Sequence, residues 1–262
     1  MAADPIEQFK ISKMVDFGQV NLPLIGRTDL AITNSHIAMT IAFLGIVAFM
    51  TVVTTNMKVV PGRTQAVGEQ LFSMIDDLGD SIIGHEGRQL FPFVFTVFSF
   101  ILAMNLLGLF ATFAVTSQLA ITATFAVLTI GLVLVIGFAK NGLGFFKLFV
   151  PSGVPWYAIW MVVPIEFVSF LLRPFTLALR LFGNMLGGHV ALKVFAGFIV
   201  ALGALAAGGG LGWLGVPGAV LPFAMVVALT ALEFLVAFLQ AFVFAVLTCI
   251  YLNDVVNLGH GH

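Results

Sequence analysis

Residues 156–207 read WYAIWMVVPIEFVSFLLRPFTLALRLFGNMLGGHVALKVFAGFIVALGALAA, a nearly continuous apolar run of about 50 residues with a few charges set inside it. At 1.5 Å per residue a helix of that length measures roughly 75 Å, more than twice the ~30 Å thickness of a bilayer's hydrocarbon core. Pro164 and Pro174 are candidate break points. Yet residues 175–207 alone still make ~50 Å, too long for a span within the usual range of tilt. A second run, about residues 218–252, is of similar length. Gly208, Gly209, Gly210, Gly212 and Gly215, with Trp213 and Pro217, supply turn residues between the two. The pattern predicts two long, steeply tilted helices forming an antiparallel hairpin.

The rest of the chain agrees with a lipid solvent. Of 262 residues, 60% are apolar and 9% charged, against roughly a quarter charged in soluble domains. The 28 phenylalanines would need far more polar surface to fold in water than this chain owns. A net charge of -1 with no dense Lys/Arg cluster excludes a nucleic-acid surface, so the bilayer is the partner and nucleic acid is not. One cysteine, Cys249, lies in an apolar run and reads as a small buried side chain; no disulfide within the chain is possible. The first thirty residues carry Asp4, Glu7, Asp16 and Asp29 and no long apolar run, unlike a secretory signal or a transit peptide, so the N-terminus is expected to be retained.

Three further spans are expected at about residues 37–56, 91–115 and 119–139, the last two joined tightly through Thr116, Ser117 and Gln118. Between the first and second, residues 65–83 place Val67, Leu71, Met74, Ile75, Leu78 and Ile82 opposite Glu69, Asp76, Asp77 and Asp80. That helix is expected at the membrane interface, its acidic face turned to protein rather than to anionic lipid. The fold class is therefore an all-α integral membrane protein of about five membrane helices plus one interfacial amphipathic helix. Residues 1–34 form an N-terminal extramembrane segment, 35–256 a single polytopic membrane domain and 257–262 a C-terminal tail. Lys58, Arg63, Arg88, Lys140 and Lys147 fall on one side if the first three spans alternate, and that side reads as cytoplasmic. Lys10, Lys13 and Arg27 stand on the other side with the four N-terminal acids. The N-terminus is then periplasmic and the C-terminus cytoplasmic, in a bacterial inner membrane rather than a mitochondrial one.

The chemistry lies in ionisable groups inside the spans: Glu166, Arg173, Arg180, His189 and Lys193 on the first long helix and Glu233 on the second. Each costs at least ~2.5 kcal/mol at mid-membrane on insertion scales, which is why such residues are read as functional and a partner is sought. Arg173 and Lys193 have long side chains that snorkel, so a structural role is the competing reading. Arg180 has apolar neighbours on both sides and a charge that no biological pH removes. Glu166, Arg173 and Arg180 are seven apart, about 700° of rotation, and share a face. Glu166 and Arg173 can meet only if their side chains reach across two turns. Glu166 and Arg180 are ~21 Å apart along the axis and cannot. Asn184 follows Arg180 by one turn, whereas His189 lies on the opposite face. An antiparallel hairpin sets Gln240 near Arg180, and Glu233 near either His189 or Glu166. A carboxylate and an imidazole in an aqueous cleft make a proton relay; the alternative is a buried hydrogen-bonded pair.

The stretch from Arg173 through Arg180, Gly183, Asn184, Met185 and Gly188 to His189 resembles the signature of subunit a of F-type ATP synthases, of the alphaproteobacterial and mitochondrial-like branch. Leu239-Gln240-Ala241-Phe242 and Met104-Asn105-Leu106 resemble the family's other polar-bearing motifs, and the likeness covers essentially residues 35–256. The resemblance implies the essential stator arginine at Arg180, a supporting amide at Gln240, and further polar groups at Asn105, Glu166 and Asn184. Many bacterial members have Glu where this chain has His189 and His where it has Glu233, an exchange that keeps one acid and one imidazole. Lys193 likewise resembles the mitochondrial-type branch.

What the resemblance implies is a proton-conducting stator subunit with two aqueous half-channels, facing a rotating ring of c subunits that each carry a membrane carboxylate. The b-type peripheral-stalk subunits and the rest of the F1Fo complex are the implied partners. Such a subunit is no enzyme by itself and needs no cofactor or metal. The competing function is a proton- or sodium-coupled secondary transporter, which also places charges near the midplane. Against it stands the lack of an internal repeat. A nucleotide enzyme is excluded by the absence of a G-x-x-x-x-G-K-[ST] loop.

Overall fold

The structure, a computed structural model, describes residues 13–22, 26–55, 57–84, 88–110, 118–150, 156–207 and 215–257. Strands β1 (Lys13–Leu22) and β2 (Gly26–Thr33) come first, followed by helices α1 (Asn34–Thr55), α2 (Arg63–Ile82), α3 (Phe91–Phe110) and α4 (Leu119–Asn141). A 3-10 segment, Gly142–Phe149, leads to α5 (Trp156–Ala207) and α6 (Gly215–Val256). The membrane part is all-α, as expected. Ahead of it residues 13–33 form an antiparallel hairpin, with Val20 opposite Thr28 and Leu22 opposite Gly26.

Five described helices, α1 and α3 to α6, are long and apolar enough to cross a membrane. Several of their threonine hydroxyls bond their own backbones, as suits a dry solvent: Thr40 donates to the His36 carbonyl at 2.8 Å and buried Thr129 to that of Phe125 at 2.9 Å. The helix α5 runs 52 residues without interruption past Pro164 and Pro174, about 78 Å by its rise. Both prolines were candidate break points and neither breaks it. The helix α6 covers 42 residues and passes Pro222. Gly215 and Pro217, expected in the turn, lie in the first turn of α6, where a proline lacks no helical partner. Gly208, Gly209, Gly210, Gly212 and Trp213 lie outside the described residues, as do Thr116, Ser117 and most of the tail.

Contacts divide the chain into two compact units whose boundary falls within α1, α3, α5 and α6. One comprises residues 1–44, 103–118 and 182–239, the other 45–102, 119–181 and 240–262. In the first, a Cβ at Gly215 would come 2.5 Å from the Leu202 carbonyl oxygen, so only glycine lets α6 start this close to the end of α5. Gly188 faces Glu233 in the same unit. Pairs 202 with 215 and 188 with 233 run in opposite directions, which is the predicted antiparallel hairpin.

In the second unit α6 buries one stripe through Ala241, Phe244, Ala245, Thr248, Leu252 and Val255, spaced at helical intervals. The buried face of α5 is Phe170, Leu177, Ala178 and Leu181. Phe145 and Phe149 of the 3-10 segment tuck beside Phe170, at ring distances of 6.3 and 5.7 Å. Phe145 reaches that place because Gly137 of α4 has no side chain; a Cβ there would lie 2.7 Å from the ring.

The apolar side of α2 differs in one respect from the sequence expectation. Val67 is exposed, while Gly68 and Ile75 are buried. The reason is close approach: a Cβ on Gly68 would lie 2.7 Å from the Val53 side chain of α1. The side-chain amide of Gln65 closes the connection by accepting the Lys58 N–H at 3.1 Å and donating to the Lys58 carbonyl at 3.0 Å.

Candidate functional site

Arg173, Arg180 and Glu166 stand on α5 at intervals of seven, and their surroundings differ. Arg173 is half-buried and held on several sides. Its Nη1 donates to Asp254 Oδ2 of α6 at 2.9 Å, and its Nη2 lies 3.8 Å from Glu166 Oε1. The guanidinium carbon sits 5.4 Å from the Phe170 ring centroid and 4.9 Å from that of Tyr251. The condition set by the sequence is met: the Glu166 and Arg173 side chains do reach across two turns. Asp254 was not counted among the site residues, because it falls two positions past the expected end of the apolar run at 252. Its signal was an acid at the end of the second long helix of an antiparallel hairpin, level with the start of the first.

Arg180 is exposed, and among the described residues it makes neither an ion pair nor a hydrogen bond. Gln240, in the same compact unit, is 5% exposed and turned into the core, with its Nε2 lacking a hydrogen-bond partner. No hydrogen bond joins Gln240 to Arg180 among the described residues, so the hairpin brings them into one unit without bonding them.

The other unit holds the acid and imidazole. Glu233 of α6 lies against Gly188 of α5, where a Cβ would come 3.0 Å from its Cγ and Cδ. The glycine is the neighbour of His189, which is 8% exposed. Of the two places the sequence left open for Glu233, the structure puts it beside the His189 turn; Glu166 is engaged by Arg173. A cleft of about 330 Å³ opens here between the helices, lined among others by Asn184, Gly187, Gly188, Leu232 and Glu233. Its lining is mostly apolar, with Asn184 and Glu233 as its polar side chains. Asn105 of α3 is fully buried and donates from Nδ2 to the Ala237 carbonyl at 3.2 Å, one turn beyond Glu233. Lys193 is half-buried one turn beyond His189.

Two groups of residues are thus assembled: an exposed cation on α5 with no ion pair among the described residues, near a pinned ion cluster, and a carboxylate at a cleft next to a buried imidazole.

Comparison with known proteins agrees with this chemistry. The family model described as ATP synthase A chain matches residues 36–253. A protein named ATP synthase subunit a from Chelativorans sp. (strain BNC1) is 51% identical over 99% of this chain and 100% of its own length. One of the same name from Rhodopseudomonas palustris (strain HaA2) is 52% identical with the same coverage, and one from Mesorhizobium japonicum is 50% identical over 98% of both chains. The match spans all five membrane helices and every candidate site residue except Asp254, and on that breadth the chain belongs to the ATP synthase A chain family.

Proposed function

We propose that this chain is the proton-conducting stator subunit in the membrane sector of an F-type ATP synthase, with Arg180 as the fixed cation facing the carboxylates of a rotating c-ring. The observation that carries this reading is the exposure of Arg180 without an ion-pair partner among the described residues. A guanidinium inside a membrane helix demands a counter-charge. Since Glu166 lies too far along α5 and both it and Asp254 are engaged by Arg173, the counter-charge comes from another subunit.

A carboxylate that arrives opposite Arg180 is favoured in its charged form, so its proton leaves toward one aqueous half-channel. Once past, it takes a proton from the other. The permanent charge of Arg180 blocks a direct leak between the two. The cleft lined by Asn184 and Glu233, with His189 and Asn105 near it, supports a water-filled path on one side; Glu166 and Gln240 are the polar groups offered on the Arg180 side. Arg173 is structural, and Lys193 is assigned the same role. Each proton crossing contributes ~2.3 kcal/mol per 100 mV, so several combine for each ATP made.

In this reading residues 35–256 act as one polytopic domain in the bacterial inner membrane, with residues 1–34 periplasmic and the tail after 257 cytoplasmic. The subunit performs no nucleotide chemistry itself; b-type stalk subunits hold it against the turning ring. The test is Arg180→Ala in membrane vesicles bearing the assembled complex. ATP-driven proton pumping should be lost while nucleotide hydrolysis by the detached catalytic part continues. Retained pumping would overturn the assignment, and solute uptake by the purified single chain would favour a transporter in its place.

A further inference from the structure

Resting on that reading, we propose that Asp254 is a positioning residue: by clamping Arg173 it fixes the rotation of α5 on α6 and thereby the aim of Arg180. The end of α6 is a fixed post. Asn141 of α4 donates from Nδ2 to the Val255 carbonyl at 2.6 Å, and Asn257 donates to the Ile83 carbonyl at 3.2 Å. Asp254 directly precedes these two ties and presents Oδ2 to Arg173 Nη1 at 2.9 Å. This side-chain hydrogen bond joins α5 to α6.

Its geometry is directional. A guanidinium is a planar fork, so a carboxylate accepting from Nη1 fixes where the fork points as well as how far it reaches. Glu166 holds Nη2 from the side of α5 itself, and the Phe170 and Tyr251 rings flank the plane. Arg173 is thus constrained from its own helix and from the neighbouring one. Arg180 stands seven residues further along the same face, about 700° of helix rotation away. A slip of one residue at Arg173 would swing Arg180 by about 100° and take it off the face the ring visits. The apolar stripe of Leu177, Ala178 and Leu181 packs α5 by shape, and the ion pair adds a directional contact to it.

The experiment uses the complete complex in inverted vesicles, with proton pumping measured per assembled complex and Arg180→Ala as the control. Asp254→Ala should leave the amount of complex and its ATP hydrolysis near normal. Pumping per ATP should fall about tenfold, since a misplacement of about 1 Å costs up to about a hundredfold. Asp254→Asn keeps an oxygen for Arg173 but carries no titrating proton, and should retain more than half of the pumping. The charge exchange Arg173→Asp with Asp254→Arg should pump better than either single variant.

Unchanged pumping in Asp254→Ala overturns the inference. So does an Asn variant as defective as the Ala variant, because the carboxyl would then be needed for its proton. A loss explained wholly by fewer assembled complexes overturns it as well, since the contact would be structural only. If Arg180→Ala itself pumps normally, the assignment of Arg180 fails, and the Asp254 result is separable from it.

Discussion

The carboxylate of Glu233 occupies the space where a side chain on residue 188 would be, so Gly188 is the reason that an acid on α6 can lie flat against α5 beside His189. The two helices approach through a glycine at the point where the chain also opens a cleft that Asn184 and Glu233 line.

Substituting Gly188 by alanine should therefore displace the Glu233 carboxylate rather than merely crowd a methyl group. Overpacking of this kind costs about 1–3 kcal/mol, and a loss of that size on the transport barrier corresponds to a fall in proton flux of about fivefold to a hundredfold or more. Passive proton conductance of vesicles stripped of the catalytic part measures it. Wild-type conductance in Gly188→Ala would show that the position of Glu233 is immaterial.

The acid and the imidazole lie on different helices yet meet the same turn of α5. If they act jointly, exchanging them through His189→Glu with Glu233→His keeps the chemistry while moving its members. The double variant should conduct better than His189→Ala or Glu233→Ala. An exchange no better than the worse alanine variant would assign them separate duties, and full conductance in both alanine variants would remove the relay altogether.

Asn105 offers a stability test apart from transport. Its amide donates to Ala237 from a fully buried position, and side-chain hydrogen bonds between membrane helices contribute about 0.6–2 kcal/mol. Asn105→Ala should lower the thermal unfolding midpoint of the purified protein in detergent. An unmoved midpoint would mean that the bond contributes nothing.

At the other end of the molecule, Gly68→Ala would drive a methyl group into Val53. Part of the about 1–3 kcal/mol typical of overpacking should be recovered in the double variant Gly68→Ala with Val53→Ala, which restores the space. Detergent unfolding of the two variants compares them, and an equal loss in both would show that α1 and α2 are not held by this contact.

Length, apolar runs and charges in unexpected places determined much of this protein. A stretch of about 50 apolar residues such as 156–207 has few homes outside a bilayer, because backbone polar groups in lipid must be satisfied within the helix. Arg180 was legible for the same reason, being a charge that composition makes costly, and the motif around it carried the family. The hairpin of residues 13–33 is absent from the sequence expectation and comes from the structure alone.

What only the tertiary structure decided is which polar groups share a contact. Helical spacing placed Glu166, Arg173 and Arg180 on one face, but the difference between a clamped Arg173 and an exposed Arg180 depends on Asp254, 81 residues away in the chain. Likewise the choice of His189 rather than Glu166 as the neighbour of Glu233 rests on a glycine whose role is the absence of a side chain. Periodicity is a property of one helix, whereas register between two helices is set by the shapes and hydrogen bonds that meet across them.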